Sequence, residues 1–292
     1  MHLEKLKKLM EEINMQKKIK RKKSLYERFQ KDERLQKISS VIFPVILGMV
    51  IIIMWQTQVL HRILNTDTFT LPLLNRIGTI LFENMGDVWK NIEATMMIAF
   101  CGLLFGSLLG YGIAVLAVLF PKIGKGGLSI IGAFASIPVV ALAPVINNWT
   151  KGVSSDANIR SMVAKIIVVM LIAAANMCLN AYRGLSELKP YSLDLMATYA
   201  AKKRVVLFKL CIPNSIPYIF VALKVSVPAS IMTAIVSEYF AEYIIGVGRQ
   251  IRENIVLAQY STAWAYIATA CIMGIVSYVV LVIVQNILLK KY

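Results

Sequence analysis

The residues able to do chemistry in this chain are few and scattered. His2 and His61 are its only histidines, and neither has a partner cluster. Cys101, Cys178, Cys211 and Cys271 lie in apolar or cytoplasmic-looking stretches without metal-type spacing, and read as small apolar residues rather than ligands or disulfides. No Gly-x-x-x-x-Gly-Lys-Ser/Thr loop occurs, so nothing here is expected to cradle ATP phosphates. The Gly124-Lys125-Gly126 run reads as a turn at a membrane edge. No catalytic triad, metal cluster or carboxylate pair is evident, so the expectation is a chain with no catalytic residue, no metal and no cofactor of its own.

What remains are polar residues and prolines set into apolar surroundings. Pro138 and Pro144 each remove an intrahelical hydrogen bond, and in a membrane the freed carbonyl needs another partner or a wet cavity. A kink lining a translocation path and a kink that only packs both fit them. Ser226, Ser230 and Thr233 fall in the middle of one apolar run and are candidates for the same path, although such hydroxyls also bond their own helix carbonyls. Glu238 and Glu242 come at the end of that run. The expected reading is of interfacial acids, solvated or paired with Arg249 or Arg252, with an outer gate or a protein contact as the alternative.

The elements that must position these residues are membrane spans. The chain has 292 residues, 58% of them hydrophobic, with only 16% charged and a formal net charge of +16. Continuous apolar runs long enough to cross a ~30 Å hydrocarbon layer, which takes roughly 20 helical residues, predict an all-α polytopic membrane protein and argue against a barrel. Six spans are expected, at about 39–60, 93–119, 127–148, 161–182, 215–237 and 263–288. Residues 1–37 form a basic extension rich in Lys and Arg, and 38–292 read as one transmembrane domain. The Lys/Arg bias puts that tail, the loop with Arg183, Lys202, Lys203 and Arg204, and the Lys290-Lys291 pair on the cytoplasmic side. Anionic lipid is the expected partner of the tail, not nucleic acid. No cleavable signal peptide is expected. Gly102, Gly106 and Gly110, at four-residue spacing, predict a flat helix face for close packing. A short interfacial helix is expected within 61–92.

The loop before the fifth span carries the most specific pattern. From Asp194 it has an acidic start, an amphipathic middle with Val205, Val206 and Phe208 among basic residues, and a proline at 213. That predicts a short helix, a turn and a proline-marked span entry, able to dock in a groove on a soluble partner. The spacing resembles the EAA loop of ABC-importer permeases. Asp194-Leu195-Met196 stand at its Glu-Ala-Ala, Ala200 at its Gly with Ala201 following, Leu210 at its Ile, and Ile212-Pro213 at its Leu-Pro, although only Pro213 is identical. Whether Ala200 makes the tight turn that Gly makes easily is left open by the sequence.

The resemblance runs from about Gly86 to the C-terminus and is to the nitrate/sulfonate/taurine-type permeases. Ser136–Pro144 looks like that group's Ile-Pro-x-x-Ala-x-x-Pro segment, and Asn176 matches an Asn of its fourth span, with Ala173 where the group has Pro. Ala222-Leu223-Lys224 stands at its Gly-Leu-Arg, Ser237-Glu238 at its Ala-Glu, and Gly246-Val247-Gly248 at its Gly-Leu-Gly. The resemblance implies a type I permease in the inner membrane, most simply a homodimer. Its loop at about 186–212 would couple to ATPase subunits that carry ATP and Mg, and an extracytoplasmic binding protein would deliver a small solute. That cargo would be of the nitrate, sulfonate or taurine kind, a thiamine precursor, or riboflavin-like. The alternatives are an ATP-independent secondary transporter, which normally shows internal repeats and a midplane ion site not seen here, and a membrane scaffold, which leaves the spaced loop unexplained.

Overall fold

The computed structural model describes residues 33–240 and 245–290, and among them every regular element is helical. The basic residues 1–32 and Glu242 lie outside the described residues. The chain divides between Thr66 and Asp67 into two units. The first contains α1 (Glu33–Gln56) and α2 (Val59–Leu64). The side chains of α1 from Ile42 to Ile53 are almost all exposed and apolar, a helix surface suited to lipid rather than water.

In the second unit, Asp67 accepts the Thr70 N–H at 2.8 Å, which holds its carboxyl below the usual carboxylate range. The segment is tied down by Trp264, whose Nε1 donates to Thr70 O at 3.0 Å, and by the edge-on rings of Phe69 and Tyr260. Then come α3 (Leu74–Glu83), α4 (Met85–Leu119), α5 (Pro121–Ala135), α6 (Val139–Trp149), α7 (Ala157–Ser186), α8 (Ser192–Thr198), α9 (Lys203–Val206), α10 (Ile212–Phe240), α11 (Val247–Val256) and α12 (Tyr260–Leu289). Four stretches are long and apolar enough to cross a membrane: α4, α7, the run Lys203–Phe240, and α12. They correspond to the second, fourth, fifth and sixth expected spans. The expected interfacial stretch 61–92 contains α3, which buries Ile77 and Ile80 and exposes Phe82.

At the centre lies α7, packed against α4, α10, α5 and α6. Its contact with α4 follows from the glycine stripe. A Cβ at Gly102 would lie 2.5 Å from Val169, one at Gly106 would lie 2.5 Å from Met170 O, and one at Gly110 would collide with Ala174 O. The absent side chains let the two backbones touch over about two turns, which is where dispersion and packing drive helix association in lipid. Gly112, off that face, has open space beside it.

Two expectations need correction. The third span, 127–148, is not one helix: α5 stops at Ala135 and α6 starts at Val139. Pro138 disfavours a helical Ile137 and has no N–H to continue the ladder, so it sits in extended geometry and starts a new helix, accepting from Ala141 N and Leu142 N. The fifth span does not begin at Pro213 either. Helix runs continuously from Lys203, through a π-helical turn at Leu207–Cys211, into α10. Because Pro213 cannot donate to the preceding turn, the wider π turn takes up the misfit and the axis continues.

Candidate functional site

The coupling-type loop is built on a backbone turn that the sequence left undecided. α8 ends at Thr198, and Ala200 adopts the left-handed conformation, φ 47°. Ala201 N–H donates to Met196 O at 3.0 Å and Ala200 N–H to Ala197 O at 2.9 Å, the paired bonds of a Schellman cap. Ala200 therefore makes the turn that a glycine would make without strain, at a cost of roughly 1 kcal/mol. The chain reverses through Tyr199–Lys202 and restarts at Lys203. Asp194 lies in the first turn of α8, where its charge suits the positive end of the helix.

No residue of α8 is buried. Leu193 and Leu195 are more than half exposed, as is Phe208 on the next helical turn, while Met196 is half-buried. Leu210 and Ile212 are half-buried and Pro213 is exposed. Beneath them Leu207 and Cys211 join a core with Ala114, Met177, Ala181 and Leu185. Asn214 Nδ2 donates to Gly184 O at 2.7 Å and Glu187 O at 3.1 Å, so one side chain fastens the end of α7 to the start of α10. The loop is thus an exposed apolar-and-basic projection on a fixed base.

The path candidates separate into two groups. Pro138 and Pro144 lie on the exposed side of α6, opposite the Ala143 and Ile146 face that packs against Ala164 and Val168 of α7. Ser226, Ser230 and Thr233 point into the helix bundle and are buried, whereas Val221, Val225 and Met232 hold the exposed side of α10. Asn176 is half-buried on α7, with its carbonyl accepting from Asn180 Nδ2.

Glu238 departs from its expected setting. It is neither solvated nor paired with Arg249 or Arg252: its exposure is 0%. Thr95 Oγ1 lies 2.9 and 3.0 Å from its two carboxylate oxygens, and Gly248 N–H donates to it at 2.9 Å. Arg249 pairs instead with Glu253 at 3.8 Å, and Arg252 donates to Tyr239 O while lying over its ring. Around Glu238 the loop entering α11 is stitched to α4. Val247 N–H donates to Thr95 Oγ1 at 3.0 Å, Gly246 N–H donates to Asn91 Oδ1 at 2.8 Å, and Asn91 Nδ2 donates to Tyr266 Oη at 3.3 Å. Gly246, at φ 152°, and Gly248 have no room for a Cβ, which would strike the Glu238 carboxyl and Ile235 O respectively. The acid sits at the N-terminus of α11, where N–H groups favour negative charge.

Sequence reasoning missed four residues that the fold uses. Thr95 and Asn91 carry no local signal, since their partners are over a hundred residues away. Asn214 could be suspected only as a polar residue beside Pro213. Lys165 did carry a signal, a lone cation inside an apolar run, which by default marks function. It is 5% exposed in α7. No group of three or more metal-type ligands occurs among the described residues, whose cysteines are free.

Residues 102–292 match the sequence profile of the family described as the binding-protein-dependent transport system inner membrane component. The formylaminopyrimidine transport permease protein ThiX of Halalkalibacterium halodurans is 25% identical over 201 residues, covering 69% of this chain and 77% of that protein. A probable ABC transporter permease protein of Haemophilus influenzae is 24% identical over 196 residues, covering 67% and 76%. Among solved structures, an amino acid ABC transporter with histidines superposes with a TM-score of 0.60 at 15% identity, over 71% of this chain and 97% of that one. The inward-facing MetNI methionine ABC transporter gives 0.54 at 15% identity, over 73% and 97%.

Proposed function

The chain belongs to the binding-protein-dependent transport system inner membrane component family, the membrane subunits of ABC importers, and we propose that it couples its path to a separate ATPase through α8 and the turn that follows. The observation that carries this reading is α8, none of whose residues is buried, closed by the Schellman turn at Ala200 and anchored below by Leu207, Cys211 and Asn214. Asp194, Leu195, Met196, Ala200, Ala201, Leu210, Ile212 and Pro213 form or shape that docking unit. Leu195, with Leu193, offers apolar area to a groove, and the basic residues that follow orient it.

In this reading two copies of the chain enclose the path, ATPase subunits carry ATP and Mg, and an extracytoplasmic binding protein delivers the solute. ATP binding brings the docked loops together and hydrolysis releases them, a rigid-body switch between two states. The chain itself supplies no catalytic group. It spans the inner membrane several times with both ends cytoplasmic, as the Lys/Arg placement supports, and its basic tail meets anionic lipid. Pro138 and Pro144 on the exposed side of α6, Ser226, Ser230 and Thr233 on the buried side of α10, and the half-buried Asn176 of α7 are the candidates to line the path. Glu238, with Gly246 and Gly248, holds the junction on which an outer gate would turn.

The cargo is a small solute. Similarity to ThiX supports an aminopyrimidine, whereas the motif resemblance supports an oxyanion. The test is co-expression with a candidate ATPase subunit. Co-purification that Leu195→Asp abolishes, and ATP hydrolysis stimulated by the binding protein, are expected. Ion-gradient-driven uptake by vesicles holding this chain alone would overturn the reading in favour of a secondary transporter.

A further inference from the structure

Lys165 is a buried cation without a direct partner among the described residues. It is 5% exposed, and among the described residues no hydrogen bond or ion pair reaches its Nζ. The acid whose field it feels, Glu238, has its oxygens engaged by Thr95 and Gly248. Arg249 adds a second positive charge to the same surroundings. An ammonium held this way inside a membrane protein is costly unless an anion completes it.

The neighbours of Lys165 have the chemistry of an anion receptor. Ser161 and Asn158 precede it by four and seven residues, on the same face of α7. Ser161 is 5% exposed and its Oγ has no hydrogen-bond partner among the described residues. Asn158 is exposed and sits at the mouth. All three line one cavity of about 500 Å³ bounded by α4, α7 and Ile245 before α11, whose other walls are apolar and include Ala94, Met97 and Ile98. Asp156, which caps α7 by accepting the Asn158 N–H, does not line it. The positive end of the 30-residue α7 adds to the same potential. The volume suits a small molecule, with one polar end and one apolar wall.

We propose that Lys165, Ser161 and Asn158 form a binding site for the oxyanion head (carboxylate, sulfonate or phosphate) of a small organic anion whose apolar part lies against α4. Lys165 supplies the charge, Ser161 Oγ and the Asn158 amide supply neutral donors, and the α4 wall selects an apolar body. The binding stands without the permease reading; the anion's role as cargo rests on it.

The experiment uses the full-length chain in phosphatidylcholine nanodiscs, with thermal unfolding followed against butanesulfonate at matched ionic strength. The neutral butanesulfonamide serves as the control. Saturable stabilisation by the sulfonate but not the sulfonamide is expected, with apparent affinity falling at least tenfold in Lys165→Met and less in Ser161→Ala. Ala94→Phe, which fills the cavity and keeps the lysine, should abolish binding even where Lys165→Met folds poorly. Nanodiscs containing phosphatidylglycerol distinguish the sources. Competitive loss of sulfonate binding identifies a lipid phosphate as the occupant, and unchanged binding identifies a soluble anion; either upholds the site. Equal affinity in Lys165→Met, equal stabilisation by the sulfonamide, or no stabilisation in either lipid would overturn it. A chain that binds through Lys165 yet never co-purifies with an ATPase would uphold the site and refute the coupling.

Discussion

Thr95 on α4 and Glu238 on α10, 143 residues apart in sequence, meet directly at 2.9 Å, both with no surface exposure. The same Thr95 oxygen accepts the N–H of Val247 at 3.0 Å, so one hydroxyl joins α4, α10 and the entry to α11. This is the hub that holds three elements in register at one end of the bundle.

Thr95→Val keeps the shape and removes the hydroxyl, leaving a buried carboxylate and a buried N–H each short of a partner. We expect a loss of about 2–4 kcal/mol, since an orphaned buried polar group costs roughly 1–3 kcal/mol and a charged one more. Thermal unfolding in detergent should show Thr95→Ser close to wild type. A Thr95→Val protein as stable as wild type would mean that the hub does not hold the fold.

Ala200→Gly should stabilise the chain by about 0.5–1 kcal/mol, because the residue already occupies the left-handed region that alanine resists. Ala258, φ 55°, closes α11 with the same paired bonds, from Gln259 N–H to Asn254 O and Ala258 N–H to Ile255 O, and Ala258→Gly should behave alike. Ala200→Val should do the opposite and impair coupled transport while insertion continues. Unfolding midpoints and vesicle uptake measure the two effects separately.

The glycine stripe gives a position-specific contrast. Gly106→Val would push α4 off α7 at Met170 and Ala173, costing on the order of 1–3 kcal/mol by overpacking. Gly112→Val, six residues along α4 from Gly106 but facing open space, should be tolerated. Comparable losses at both positions, read by thermal unfolding of the purified variants, would contradict the packing assigned to this face.

Asn214→Ala removes both bonds that fasten the α7 end to the start of α10. We expect the α8 loop to lose its fixed base, so that ATP hydrolysis in the assembled transporter becomes less dependent on the binding protein while uptake falls several-fold. Uptake and stimulation both at wild-type level would show that this fastening is dispensable.

Much of this protein was legible in one dimension because its strongest constraints are local. Apolar length sets membrane spans, since every backbone polar group in lipid must be satisfied within its own helix. The four-residue glycine spacing announced a close helix contact, and the Asp194–Pro213 spacing announced a helix and turn before the fifth span. Pro138 also carried its own consequence, although the length of the apolar run concealed that one expected span is two helices. Tertiary structure alone decided the rest. Glu238 looked like a solvated interfacial acid because Thr95 is invisible as its partner across 143 residues. Lys165 stood in plain view, but its burial beside an unpartnered Ser161 required α4 to be laid against α7. Local pattern specifies which segments form helices; what each polar side chain meets depends on which helices become neighbours, and that is set by packing over the whole bundle.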